Sequence, residues 1–226
     1  MAIALDSSGT VALSGSPSTG TINNAGGNIL FFFINGDIDD TVTSVTYNGV
    51  GMTLVQKANA APGTSRWQYL YYMVGPATGS NTVQVNVSAT NIGLANGKFG
   101  SFSGAKQTDQ PDASGTNTTS GAHTSQSKTL TTVADNCWWI GVMHTNIATQ
   151  QTDTGDGEFL TDAADSFSTY YSNGAKTPAG NVTMSCTFAA STYSEAIIAS
   201  FSPAVATGVF KNSFFTKQAP NRASTY

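Results

Sequence analysis

Charge is what this chain has least of. Only 10% of its 226 residues are Asp, Glu, Lys or Arg, and glutamate occurs only at Glu158 and Glu195. Surface helices draw on Glu, Lys, Arg and Leu, so this scarcity argues against a helical fold. Long apolar runs are missing too, and the longest, Ile29 to Ile34, is far too short to cross a bilayer. Met1-Ala2-Ile3-Ala4-Leu5-Asp6 offers neither a basic n-region nor an apolar h-region, so no signal peptide is read and no membrane partner is expected. With a formal charge of −4 and no basic stripe, the chain is not expected to take nucleic acid as its partner. Cysteine and histidine number two each. Cys137 and Cys186 lie in alternating apolar runs, and without an export signal they are expected to be buried free thiols. His123 and His144 have no Cys or His at ligand spacing, and no Gly-x-Ser-x-Gly elbow accompanies them. No cofactor, metal centre or catalytic residue is therefore expected, and the chain is read as not an enzyme.

What remains is Ser, Thr, Asn, Gln, Gly and aromatics, a composition suited to pleated strands and tight turns. Asn28-Ile29-Leu30-Phe31-Phe32-Phe33-Ile34-Asn35 has no polar face and predicts a central strand covered on both sides. Asn136-Cys137-Trp138-Trp139-Ile140-Gly141-Val142-Met143 is its counterpart. Asn48-Gly49, between Thr41–Tyr47 and Met52–Gln56, is a strong hairpin signal because both residues accept positive φ. Ser65 to Val74 reads as a long aromatic strand. The stretch Thr10–Leu13 predicts an edge strand, with loop through Gly27, and Lys106 to Ser125 predicts a polar surface crossover. Further strands are read at 127–133 and 166–172, around a loop from Thr145 to Asp165 that has room for a single helical turn at Leu160–Asp165.

One pattern occurs twice. Tyr71-Tyr72, a Gly-Pro turn, Asn81-Thr82-Val83-Gln84-Val85 and Ser101-Phe102-Ser103 are matched by Tyr170-Tyr171, a turn through Pro178 and Gly180, Asn181-Val182-Thr183-Met184-Ser185 and Ser200-Phe201-Ser202. Together with Val42–Gly49 and Gly104-Ala105 followed by Gln107-Thr108-Asp109, this grammar resembles a jelly-roll-type β-sandwich module. Such modules recur in structural proteins of tailed-phage virions and in bacterial surface proteins. The expectation is an all-β, antiparallel, jelly-roll-like sandwich over residues 1–204. It would be built from two related halves, about 28–105 and 127–204, sharing one interior, with an extended C-terminal arm at 205–226. The resemblance implies an assembly or adhesion role. The function expected is that of a virion structural protein made in the host cytoplasm, a capsid decoration protein or else a tail component. Its partners would be the major capsid or tail protein and copies of itself.

The arm carries the candidate docking residues. Phe210, Lys211, Phe214, Phe215, Lys217 and Arg222 combine exposed apolar rings, which are costly in water, with positive charge and no acid, against an acidic body. Two Gly-containing acidic turns are weak calcium candidates, Asp37 and Asp39 in one, Asp153 and Asp156 in the other, and they are expected to share one end of the sandwich. The same acids, joined by Glu195, are the carboxylates a glycosidase would need, but no aromatic cluster is tied to them. The alternative reading is a carbohydrate-binding module, calcium-assisted, stacking sugars on Trp67, Tyr69, Tyr71, Tyr72, Tyr170, Tyr171 and Tyr193.

Overall fold

A computed structural model describes residues 2–13, 17–37, 42–59, 66–88, 93–146, 151–161, 166–172 and 174–205. Among them every regular element is a β-strand and every pairing is antiparallel. The strands are β1 (Ala4–Ala12), β2 (Ser18–Asn24), β3 (Ile29–Asp37), β4 (Val42–Tyr47), β5 (Val50–Gly51), β6 (Thr53–Ala58), β7 (Arg66–Val74), β8 (Gly79–Val87) and β9 (Gly93–Ser103). They continue as β10 (Ala113–Thr131), β11 (Trp138–Thr145), β12 (Thr152–Asp153), β13 (Gly157–Phe159), β14 (Phe167–Ser172) and β15 (Asn181–Phe201).

Three sheets result, in the orders β1-β9-β3-β7-β6, β2-β8-β4-β5, and β10-β15-β11-β14-β13 with β12 added alongside β15. The apolar interior is layered to match. One cluster lies between the first two sheets, where Leu30, Phe32 and Ile34 of β3 meet Ile22, Val45, Tyr47, Val83 and Val85. The opposite face of β3, with Ile29, Phe31 and Phe33, packs together with Phe102 against Ile140, Val142, Phe167, Ile197 and Phe201 of the third sheet. In the third cluster Trp139, Met143, Tyr170, Ala196 and Ile198 meet Val182, Met184, Cys186 and Phe188. The last four come from the first half of β15, so this strand folds back over its own sheet.

The double-faced burial read for residues 28–35 thus has a physical cause. Alternate side chains of β3 feed two different cores, and β11 does the same, with Ile140 and Val142 on one side and Trp139 and Met143 on the other. The Asn48-Gly49 hairpin forms as expected, with φ of 49° and 74° at the two residues.

Two stretches differ from the sequence reading. Residues 1–27 hold two strands rather than one, and the polar crossover becomes strand from Ala113 onward. Both β1 and β10 stand at sheet edges, each paired on one side only. Their hydroxyl-rich faces meet solvent, which removes the alternation that would have announced them. The 145–165 loop likewise contains the short strands β12 and β13. Leu160 and Thr161 are not helical, and residues 162–165 lie outside the described residues.

Candidate functional site

The acidic turns do not converge. Asp37 closes β3 at the end of the stack where Phe167 opens β14 and Thr145 closes β11, and Asp39 lies outside the described residues. Asp156 lies toward the other end of β14, in a small pocket with Ser172, Lys176 and Val182. That corrects the expectation of a shared end, because β12 runs beside the first half of β15 and carries the turn away from Asp37. Both carboxylates hold backbone amides, Asp153 within its own turn and Asp156 on the neighbouring strand β15. Asp153 Oδ1 accepts from the Gly155 amide at 2.9 Å, and Asp156 Oδ2 accepts from the Thr183 amide at 2.7 Å. Burial pushes Asp153 above the ordinary carboxylate range, against the pull of the Gly155 and Thr154 amides, and the neighbouring charges of Asp156 and Glu158 push the same way. Among the described residues no group of three His, Cys, Asp or Glu side chains is arranged to hold a metal ion.

Glu195 differs from these turn residues in being buried within the sheet. It is 1% exposed and its Oε2 lies 2.8 Å from Nδ1 of His144, itself 4% exposed. Adjacent pairing of β11 and β15 puts the two side chains opposite each other, on the face that carries Val142 and Ile197. Lys98, 3% exposed, enters the same layer and donates its ammonium to the Phe167 carbonyl. His123 bonds through Nε2 to the buried Ser194 hydroxyl at 2.7 Å and through Nδ1 to the Gly121 carbonyl at 2.6 Å. Sequence alone gave no warning of these partnerships. Glu195 is 51 residues from His144, and only strand register joins them.

The aromatic platform is divided between interior and surface. Tyr69, Tyr71 and Tyr170 are buried, with Tyr170 hydroxyl donating to Gln151 at 2.7 Å, whereas Trp67, Tyr72, Tyr171 and Tyr193 are partly buried. Both cysteines are free and buried, as the sequence suggested. Burial drives each thiol up to about 12, so at neutral pH they are protonated and unreactive.

A groove of about 920 Å³ with apolar walls lies at the opposite end of the stack from Asp37. Ile3, Trp138, Pro203 and Val205 line it together with the turn Val133–Asn136. Val133 and Val205 are 70% and 81% exposed, the two most exposed large aliphatic side chains among the described residues. Backbone bonds hold the rim: Lys106 N to Ser202 O at 2.9 Å, and Ala204 N to Gly104 O at 2.7 Å. The six arm residues named above, Phe210, Lys211, Phe214, Phe215, Lys217 and Arg222, all lie outside the described residues, which stop at this groove. Comparison of the chain with models of protein families, with curated proteins and with solved structures finds no match.

Proposed function

We propose that the protein is a non-enzymatic structural component of a tailed-phage virion, a capsid decoration protein in the first place and a tail component otherwise. It docks through its C-terminal arm onto the major capsid or tail protein and associates with copies of itself. It acts by burying apolar and hydrogen-bonding surface across the joints between subunits.

The observation that carries this reading is the pairing order, and with it the finer proposal that the fold is two related jelly rolls. In a jelly roll of about eight strands, the first, eighth, third and sixth form one sheet and the second, seventh, fourth and fifth the other. With β6 as an extra strand, β1-β9-β3-β7 and β2-β8-β4-β5 follow that order. The later strands repeat it except in the fifth place if β10 and β15 each count twice: among the described residues β12 has no further strand beside it, and β13 is an extra strand on β14 as β6 is on β7. Residues 113–120 of β10 pair with 193–200 of β15, next to β11 and β14, while 125–131 pair with 181–187, next to β12. Jelly rolls build viral capsid and lectin domains. Between these, the capsid reading is favoured because three of the seven platform rings, Tyr69, Tyr71 and Tyr170, are buried and the other four are only partly open, which leaves no continuous aromatic face for a sugar.

A mass-spectrometric inventory of purified phage particles is the test. The chain is expected at fixed copy number, and removal of residues 205–226 is expected to abolish incorporation while leaving the far-UV spectrum unchanged. Particles without the chain, or particles that take up the shortened form equally well, would overturn the proposal.

A further inference from the structure

We infer that the groove beside Val205 is the seat of this chain's own segment Val209–Lys217, folded back so that the free protein carries its docking element covered. The inference rests on the arm being the docking element, as proposed above, and adds where that element lies before assembly.

Three observations bear on the choice of occupant. The first is chemical: Val133, Trp138 and Val205 offer an open apolar floor, and the segment brings Phe210, Phe214 and Phe215. The second is electrostatic. Asp112 and Asp135 line the groove, and its one lysine, Lys106, is already paired with Asp109 at 2.9 Å. A surplus of negative charge is left for Lys211 and Lys217, and the arm has no acid to oppose it. The third is reach. Phe210 stands five residues beyond Val205, so extended chain places it within about 17 Å of the groove wall it left. Gly208 supplies a residue able to reverse the chain in that interval. A tether this short gives the segment an effective concentration on the order of millimolar, which favours it over a second copy in dilute solution.

Isotope-mixed coupling of the full chain tests the assignment. Equal amounts of unlabelled and ¹⁵N-labelled protein are treated with a carbodiimide that joins Lys to Asp at contact distance, and the linked peptides are weighed. Lys211 or Lys217 should be joined to Asp112 or Asp135, both peptides always carrying the same isotope. In the full chain bearing Phe210→Ser, Phe214→Ser and Phe215→Ser, the yield of these links should fall at least about tenfold, since loss of even one buried ring exceeds the 1.4 kcal/mol that a factor of ten represents. Absence of the links, or an undiminished yield in the triple variant, overturns the seat. Mixed-isotope pairs overturn it as well, because they put a second copy's arm in the groove; that result leaves arm docking in the particle standing. Absence of the chain from particles, by contrast, removes the virion assignment and leaves the seat untouched.

Discussion

Gln68 brings an amide into a layer of hydrocarbon. It is fully buried on the β7 face that carries Leu70, and neither its oxygen nor its nitrogen finds a hydrogen-bond partner among the described residues. An unsatisfied buried polar group costs on the order of 1–3 kcal/mol, more than the small net gain of a bond that is made. Gln68→Leu should therefore raise stability by about 1–2 kcal/mol in a urea titration. An unchanged or lowered midpoint would mean that the amide has a partner after all. Nothing in the sequence marked this residue, because the strand from Ser65 to Val74 is apolar on both faces and a lone polar residue there reads as solvent-facing. The buried Lys98, His144 and Glu195 escaped notice for a related reason. A charged side chain carries no local signature of burial, and here the partners come from strands distant in sequence.

At the level of the strand, legibility followed burial. The central strands β3 and β11 and the half-buried hairpin strand β8 could be read, since their alternation or their lack of it reflects which faces are covered. The edge strands β1 and β10 could not, and β12 and β13 are too short to show a period. β13 depends on a single glycine. A Cβ built on Gly157 would fall 2.4 Å from the Trp139 indole and 2.6 Å from the Tyr171 carbonyl, so the ring lies directly on the strand. Gly157→Ala should cost roughly 1–3 kcal/mol by overpacking and should weaken the near-ultraviolet circular dichroism that the immobilised indole produces. A spectrum and melting point equal to those of the parent would show that β13 can shift aside freely. The Cβ position at Gly49 meets no atom within 4 Å, so the cost there is limited to its positive φ.

For the molecule as a whole, the decisive layer is the middle one. The division of the interior into three clusters was not legible, because periodicity tells that a face is covered without telling by what. Phe31, Phe102 and Phe201 meet there with ring centroids 5.0–6.2 Å apart, joining strands on either side of the chain's midpoint. Polar ties span the same seam, with Gln56 Nε2 donating to Ser114 Oγ at 3.2 Å and Ser8 Oγ to the Leu160 carbonyl at 3.3 Å. Calorimetry should thus give one unfolding transition, and Phe102→Ala should lower it by about 3–5 kcal/mol in stability. Two separate peaks, with only the earlier strands affected by the substitution, would contradict a middle layer that couples them.

The self-contained pairing of β1 to β9 also bears on how the chain is made. Every one of those strands finds its ladder partners within residues 4–103, so the ladders can close on a nascent chain before β10 has left the ribosome. The ring faces of Phe31, Phe33 and Phe102 stay wet until β11, β14 and β15 arrive to cover them. At about 5–20 residues per second, synthesis of that remaining stretch leaves them bare for roughly 5–20 seconds, the interval in which a chaperone has something to hold.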